Sequence, residues 1–232
     1  MSTAFAVERD SRDHKDNLYR GTPFAESVSG FENISENDIK RYHKQGFLVV
    51  KGAFSPEEAS AAREELDLMC RADDPKCISI HYERHIAENL MKTGVDVDAL
   101  DSENEDDLKR LRSAILDMDS TKRAHLVRKF VGFTKEHPPL KNLSHSAALK
   151  AALRQITDEK MKLFVSQALV KPPGGREKPW HQDHAYFDVP IDTPIVGVWI
   201  ALDQATPENG CMHVWPAGHK EGPRIHFQIR DW

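Results

Sequence analysis

The sequence predicts an α+β protein in which helices come first and short strands follow. Apolar residues recur at helical spacing in the first part of the chain, whereas short apolar segments separated by Pro, Gly, Asn or Asp follow from residue 161. The first pattern indicates amphipathic helices, and the second is typical of a β-sandwich or barrel. We predict a disordered or extended arm at 1–33 and a single domain at 34–232, mainly helical over 34–160 and β over 161–232.

The first two predicted helices rest on capping residues. Ser35 is a hydroxyl N-cap at the start of the first, and Gly46 should end it. In the second, Ser55 is the N-cap, Pro56 occupies the first helical position and Glu58 can complete a capping box. Since caps act locally, these are the best-defined helix boundaries that the sequence offers.

Further elements are predicted from apolar spacing alone. We expect helices over about 107–117 and 145–156, with Pro138-Pro139 interrupting the chain between them. The expected strands are four apolar segments beyond a first one at 47–50: 161–170, 181–187, 195–202 and 211–215.

Composition excludes several classes of protein. The 232 residues carry a formal net charge of −5, which argues against general nucleic-acid binding, and no apolar run is long enough to cross a membrane. The charged N-terminus lacks the apolar stretch of a secretory signal. Three cysteines without a CxxC pair suit free thiols in a reducing compartment. We therefore expect an intracellular protein, cytoplasmic first and peroxisomal as the alternative, with no nucleic-acid or membrane partner.

The tripeptide His181-Gln182-Asp183 is a candidate metal-binding motif. On a strand, residues two apart point to the same face, so His181 and Asp183 could converge on one metal ion. Two histidines and a carboxylate on one face of an octahedron hold iron in non-haem Fe(II) oxygenases and leave three positions open. Alone, H-x-D is a weak motif, because such tripeptides arise by chance.

The tripeptide lies in the first of four segments that follow one another along the chain and contain recognisable motifs. Residues 171–187 begin with "KPP" and contain "HQD", 197–203 form an apolar segment around Trp199, 208–212 contain "NGC", and 216–220 read "PAGHK". The segment 42–50 with its "QGF" precedes the capped helix at Ser55. These segments resemble the phytanoyl-CoA dioxygenase family.

This resemblance implies a double-stranded β-helix (jelly roll) with the helices packed on it. It also implies an oxidoreductase, a dioxygenase that uses Fe(II) and the cosubstrate 2-oxoglutarate to hydroxylate a small organic substrate. His181 and Asp183 correspond to metal ligands, and Trp199 to a wall of the 2-oxoglutarate pocket. A carboxylate at Asp183 favours hydroxylation, since halogenating relatives need a small residue there.

The family's third ligand is a histidine on a late strand, followed by an arginine that binds 2-oxoglutarate. Both positions would lie beyond Trp232, so we expect a truncated chain that lacks these residues and the last strands. His184, His213 and His219 are interpreted as surface or structural histidines. The alternative function is a non-catalytic jelly-roll binding module with a partial metal site; a hydrolytic zinc site is a weaker one. The substrate and the oligomeric state stay open.

Overall fold

A computed structural model of the chain describes residues 4–7, 24–82, 105–172, 175 and 178–226. It is a mixed helical and sheet structure, which confirms the α+β class. The helices are α1 Glu36–Gln45, α2 Pro56–Arg71, α3 Glu105–Leu116, α4 Ser120–Ala124, α5 Pro138–Ser144 and α6 Ala147–Thr157. The strands are β1 Ala4–Val7, β2 Ser27–Ser29, β3 Val49–Lys51, β4 Ser79–Tyr82, β5 Val127–Val131 and β6 Gln167–Leu169. None of the described helices is long and apolar enough to span a bilayer.

The core is built on a four-stranded sheet with the order β1-β4-β5-β6. β1 runs parallel to β4, and the other two pairs are antiparallel. In this register Ile80 lies opposite Phe130, which lies opposite Ala168, and all three are buried. Directly opposed side chains on one face of a sheet contact each other, so this row forms the apolar centre of the sheet. Strands β2 and β3 form a separate two-stranded parallel sheet.

Helix α2 lies against this core through Ala62, Met69 and Cys70, which share one helical face and are buried. Burial raises the pKa of the Cys70 thiol to about 12. Next to α2, the fully buried Arg123 of α4 donates from Nη2 to the Asp73 carboxylate at 2.6 Å. The same nitrogen donates to the Arg71 carbonyl at 2.9 Å, so this guanidinium bridges α4 and the end of α2.

A buried histidine links α2 to the start of α5. His137 Nδ1 lies 2.6 Å from a Glu65 carboxylate oxygen, and its Nε2 lies 2.8 Å from the Pro75 carbonyl oxygen. The Pro75 carbonyl oxygen only accepts, so Nε2 donates to it. The two contacts hold the start of α5 against α2.

Local capping is the part of the sequence-based prediction that the structure reproduces best. Ser35 and Ser55 form capping boxes with Asp38 and Glu58, and Gly46 ends α1 in the left-handed conformation. Pro138 does not interrupt the chain as expected; it begins α5. A proline at the first helical position loses no intrahelical hydrogen bond, which explains the difference.

The segments 1–33 and 73–140 contain strands that the sequence did not reveal. Within the predicted arm, β1 pairs with β4 and β2 pairs with β3. Strands β4 and β5 lie in a stretch without an assigned strand. A strand is stabilised by its neighbours more than by its own sequence, and these partners are distant along the chain.

The three strands expected at 181–187, 195–202 and 211–215 are not formed. Among the described residues after 160, β6 is the single strand, and the rest is irregular chain with short turns of 3-10 helix. A strand needs a neighbour that takes its backbone N–H and C=O groups. The described backbone bonds in this part mostly close short turns, such as Phe187 to His184 and Gly210 to Pro207. The described residues therefore do not form the predicted jelly-roll strands.

Phe130 should be the residue whose loss costs most in this core. Its side chain is 0% exposed, and Phe130→Ala should lower the free energy of unfolding by about 3–5 kcal/mol, because it leaves a cavity. Urea unfolding measures the change. Phe24→Ala is the matched control, since Phe24 is 83% exposed. Equal losses in the two variants would contradict the placement of the core.

Candidate metal centre

His181 and Asp183 lie side by side in the folded chain. Nε2 of His181 is 3.1 Å from Oδ1 of Asp183. Asp183 begins a single turn of 3-10 helix, Asp183–Tyr186, and Gln182 before it is extended. The strand geometry predicted for H-x-D is thus wrong, but the change from extended chain to turn brings the two side chains together as the strand would have done.

The other nitrogen of the His181 ring fixes its orientation. Nδ1 lies 2.7 Å from the Pro179 carbonyl oxygen, which can only accept, so Nδ1 carries a proton and donates. Nε2 then faces Asp183. Metal-binding histidines commonly donate one N–H to a carbonyl or carboxylate, which orients the ring and raises its basicity. His181 is in this state without any further rearrangement.

His181 and Asp183 shift each other's pKa. The hydrogen bond to Asp183 raises the pKa of His181, with burial acting in the opposite direction. The same hydrogen bond lowers the pKa of Asp183. The side chains are 27% and 66% exposed, so the pair is open to solvent on the carboxylate side. The imidazolium and the carboxylate therefore stabilise each other, and a cation that binds both groups would displace the proton from Nε2.

Three residues that sequence reasoning did not single out lie around this pair. The Tyr186 ring contacts the His181 ring edge to face at 5.6 Å between centroids, and it contacts the His226 ring in the same way at 6.0 Å. A Cβ at Gly197 would lie 3.4 Å from Oδ2 of Asp183. His226 is more than forty residues from the tripeptide, and no sequence pattern indicated that the fold would bring it there.

The loop before His181 contacts the Asn-Gly turn. Burial lowers the pKa of His81 on β4 to about 4, and the positive charges of Lys129 and Lys178 add to this effect. Lys171 lies over Gly210, where a Cβ would be 3.0 Å from its Cε. The "KPP" and "NGC" motifs are therefore in contact.

The "PAGHK" loop contacts the C-terminus of α1. Ala217 N–H donates to the Gln45 carbonyl at 2.7 Å. His219 Nε2 lies 3.2 Å from the His43 carbonyl oxygen, to which it donates. These bonds satisfy carbonyls that a helix end leaves without intrahelical partners. The motifs at the two ends of the resemblance thus meet, and His219 has a structural role here.

Other histidines near the tripeptide are not placed beside its two donor atoms. The ring of His213 contacts that of Trp180 at 6.3 Å. His184 Nε2 is buried without a hydrogen-bond partner among the described residues. Within that part of the chain, no group of three or more His, Cys, Asp or Glu side chains could hold a metal ion. The described site therefore supplies two donors.

Comparison with known proteins agrees with the order of these motifs. The family model of phytanoyl-CoA dioxygenase (PhyH) matches residues 42–231. The chain belongs to the phytanoyl-CoA dioxygenase family. No solved structure matches it significantly.

Curated relatives are similar at low identity. The chain is 25% identical to phytanoyl-CoA dioxygenase domain-containing protein 1 of Danio rerio over 216 residues, which cover 86% of this chain and 73% of that protein. It is 23% identical to phytanoyl-CoA dioxygenase of Arabidopsis thaliana over 197 residues, 82% of this chain and 66% of the relative. The chain is 24% identical to phytanoyl-CoA dioxygenase 1 of Oryza sativa over 217 residues, which cover 86% of this chain and 69% of the relative.

Family membership leaves the individual site residues as predictions. His181 and Asp183 lie together, as a pair of metal ligands must. Trp199 is 48% exposed, and the neighbouring Ile200 and Leu202 pack against the core. Gly197 in the same segment lies beside Asp183. Trp199 as a wall of the 2-oxoglutarate pocket stays a prediction.

Asp183→Asn should lower the pKa of His181, because the carboxylate that stabilises the imidazolium is removed. An NMR titration of the His181 ring measures this, and Asp192→Asn, in an exposed turn, is the control. The raised pKa of His181 means that its contribution to stability is complete below its unfolded pKa and is lost as pH rises through the folded one. Asp183, with a lowered pKa, loses its contribution as pH falls through the folded pKa. A His181 titration unchanged in Asp183→Asn would contradict the pairing.

Gly46→Ala should destabilise the protein more than Gly52→Ala. Both glycines have positive φ, 88° and 62°, so an alanine costs about 1–2 kcal/mol at either from backbone strain. At Gly46 the new Cβ would also overlap the His219 ring, whereas nothing lies within 4 Å at Gly52. Urea unfolding of each variant gives the difference.

The His219→Ala background tests the origin of that difference. Without the imidazole, Gly46→Ala should cost about as much as Gly52→Ala, since only backbone strain is left. A Gly46→Ala cost that stays equally large without His219 would show that the "PAGHK" loop does not pack on α1 as described.

Proposed function

We propose that this protein is an Fe(II)- and 2-oxoglutarate-dependent dioxygenase that hydroxylates a small organic substrate. The supporting observation is the His181–Asp183 pair, with Nε2 and Oδ1 3.1 Å apart and Nδ1 bonded to Pro179. Membership of the phytanoyl-CoA dioxygenase family supports the oxygenase class. An imidazole and a carboxylate are two of the three protein donors that non-haem Fe(II) oxygenases use.

His181 and Asp183 would hold the iron. Bound iron, with 2-oxoglutarate and O2, supplies oxidative decarboxylation of the cosubstrate and hydroxylation of a C–H bond. The Pro179 carbonyl keeps a proton on Nδ1, so Nε2 is the nitrogen that would bind the metal, in place of its hydrogen bond to Asp183. Asp183 offers its carboxylate from the exposed side, and Gly197 leaves room beside Oδ2 because it has no side chain.

The proposal includes parts that the described residues do not contain. A third donor and a cation for the distal carboxylate of 2-oxoglutarate are needed, and in the family these are a histidine and an arginine. We propose that Trp199 lines the cosubstrate pocket. We also propose that the segments 181–187, 195–202 and 211–215 belong to a jelly roll, which requires partner strands outside the described residues.

A second candidate function is a binding module that keeps two metal-binding side chains without turnover. It is favoured by one observation: the described residues supply no third donor. Such a module would bind a small molecule near His181 and Asp183 and would leave 2-oxoglutarate unchanged. The two candidates differ in a single chemical outcome, which is conversion of 2-oxoglutarate to succinate.

Succinate release from 2-oxoglutarate should depend on added Fe(II) and on both side chains. His181→Ala and Asp183→Ala should reduce it to background, because each removes a metal donor. His125→Ala is the control, since His125 ends α4 and bonds to Thr121 at 2.7 Å. Mass spectrometry of the products measures the conversion.

The same assay on a longer form with a distal histidine and arginine separates the two candidates. If the present chain is inactive and the longer form is active, the dioxygenase stands. If neither form releases succinate but both bind 2-oxoglutarate, the binding module is correct.

A further inference from the structure

We propose that Gln182 is the positioning residue of the metal centre, and that it acts by binding the segment 222–226 from its place between His181 and Asp183 in the chain. This inference rests on the proposed function, because it concerns the same two donors. Gln182 lies between them in the chain, so any contact that fixes its backbone also restricts the directions in which both neighbouring side chains leave it.

Three hydrogen bonds join Gln182 to the segment 222–226. Its side-chain Nε2 donates to the Gly222 carbonyl at 2.9 Å, and its Oε1 accepts from the Arg224 N–H at 2.8 Å. The backbone N–H of Gln182 donates to Nε2 of His226 at 2.8 Å. A carbonyl only accepts and a backbone N–H only donates, so these partners identify which atom of the Gln182 amide is Nε2 and which is Oε1.

The side-chain amide takes the place of a strand residue. In a parallel ladder, one residue donates to the carbonyl before its opposite residue and accepts from the N–H after it. Gln182 makes these two bonds around Pro223, from its side chain. Proline at the middle position costs no hydrogen bond, because both bonds go to its neighbours. Two polar backbone groups are thereby satisfied where no strand is present.

The segment 216–226 is held at both ends. Its start is bonded to α1 through Ala217 and His219, and its end to the tripeptide through Gln182 and His226. The His226 ring is itself oriented, since its Nδ1 lies 2.9 Å from the Arg224 carbonyl oxygen and donates to it. Gln182 therefore connects the position of the donors to the packing of the first helix.

A glutamine fits this role because it has a donor and an acceptor at the end of a flexible but uncharged chain. Methionine has nearly the same length and neither group, and glutamate keeps only the acceptor. Partners that orient metal ligands typically contribute about ten- to a hundredfold to metal affinity when removed. Gln182 should have an effect of this order although it is not itself a ligand.

The test uses the full chain and Gln182→Met. Titration with Co(II), followed by its visible absorption, should show a loss of affinity of roughly tenfold or more. Amide hydrogen exchange of Arg224 in the metal-free protein, measured by NMR, should become faster, because its N–H loses its acceptor. Gln167→Met, an exposed glutamine on β6, is the matched control and should change neither value.

Gln182→Glu is the second variant and is read by amide exchange alone. It keeps an acceptor for the Arg224 N–H, so protection at Arg224 should be retained while the bond to Gly222 is lost. Folding of both variants is checked by their urea unfolding.

Two results would overturn the positioning role. One is a Gln182→Met protein with unchanged protection at Arg224; the other is faster exchange with unchanged Co(II) affinity. If the unaltered chain takes up no Co(II) while Gln182→Met still speeds exchange at Arg224, the metal site and the proposed function fail, and only the contact with 222–226 stands.

Discussion

The candidate site depends on which groups serve as hydrogen-bond partners for the backbone N–H and C=O groups after β6. In the core sheet neighbouring strands provide such partners for each other, with Ile80, Phe130 and Ala168 in one row. After β6 the described chain has no strands, and side chains provide some of the hydrogen-bond partners for the backbone. The amide of Gln182 and the ring of His226 bond to backbone groups there, as two neighbouring strands would. We propose that these side-chain bonds set the positions of the two candidate metal donors.

The core sheet and the site are connected through few contacts. Val170 N–H donates to the Arg128 carbonyl, which extends the pairing of β5 and β6 into the segment before His181. Ile200 and Leu202 pack on the core from the segment that passes Asp183. Large apolar side chains in this part of the chain, such as Trp215, stay exposed, so burial contributes less here than it does in the core. Stability and chemistry therefore lie in different parts of the chain.

The sequence predicted features that depend on neighbouring residues and missed contacts between residues that are far apart in the chain. The caps at Ser35 and Ser55 are complete within four residues, which is why α1 and α2 were placed correctly. The pairing of His181 with Asp183 was also local, although it arises from a turn and not from a strand. By contrast, the contact of Gln182 with Gly222 joins residues forty positions apart. Nothing in either segment alone encodes it, and the same holds for the partners of β4.

The hydrogen bond from His181 to the carbonyl of residue 179 has an evolutionary consequence. The acceptor belongs to the main chain, so every amino acid at that position supplies it. In many metal proteins the orienting partner is a carboxylate side chain, which a single codon change can remove. Here the orientation of the ring is inherited with the backbone path itself. Drift at position 179 can alter how readily the chain adopts that path, but it cannot delete the acceptor.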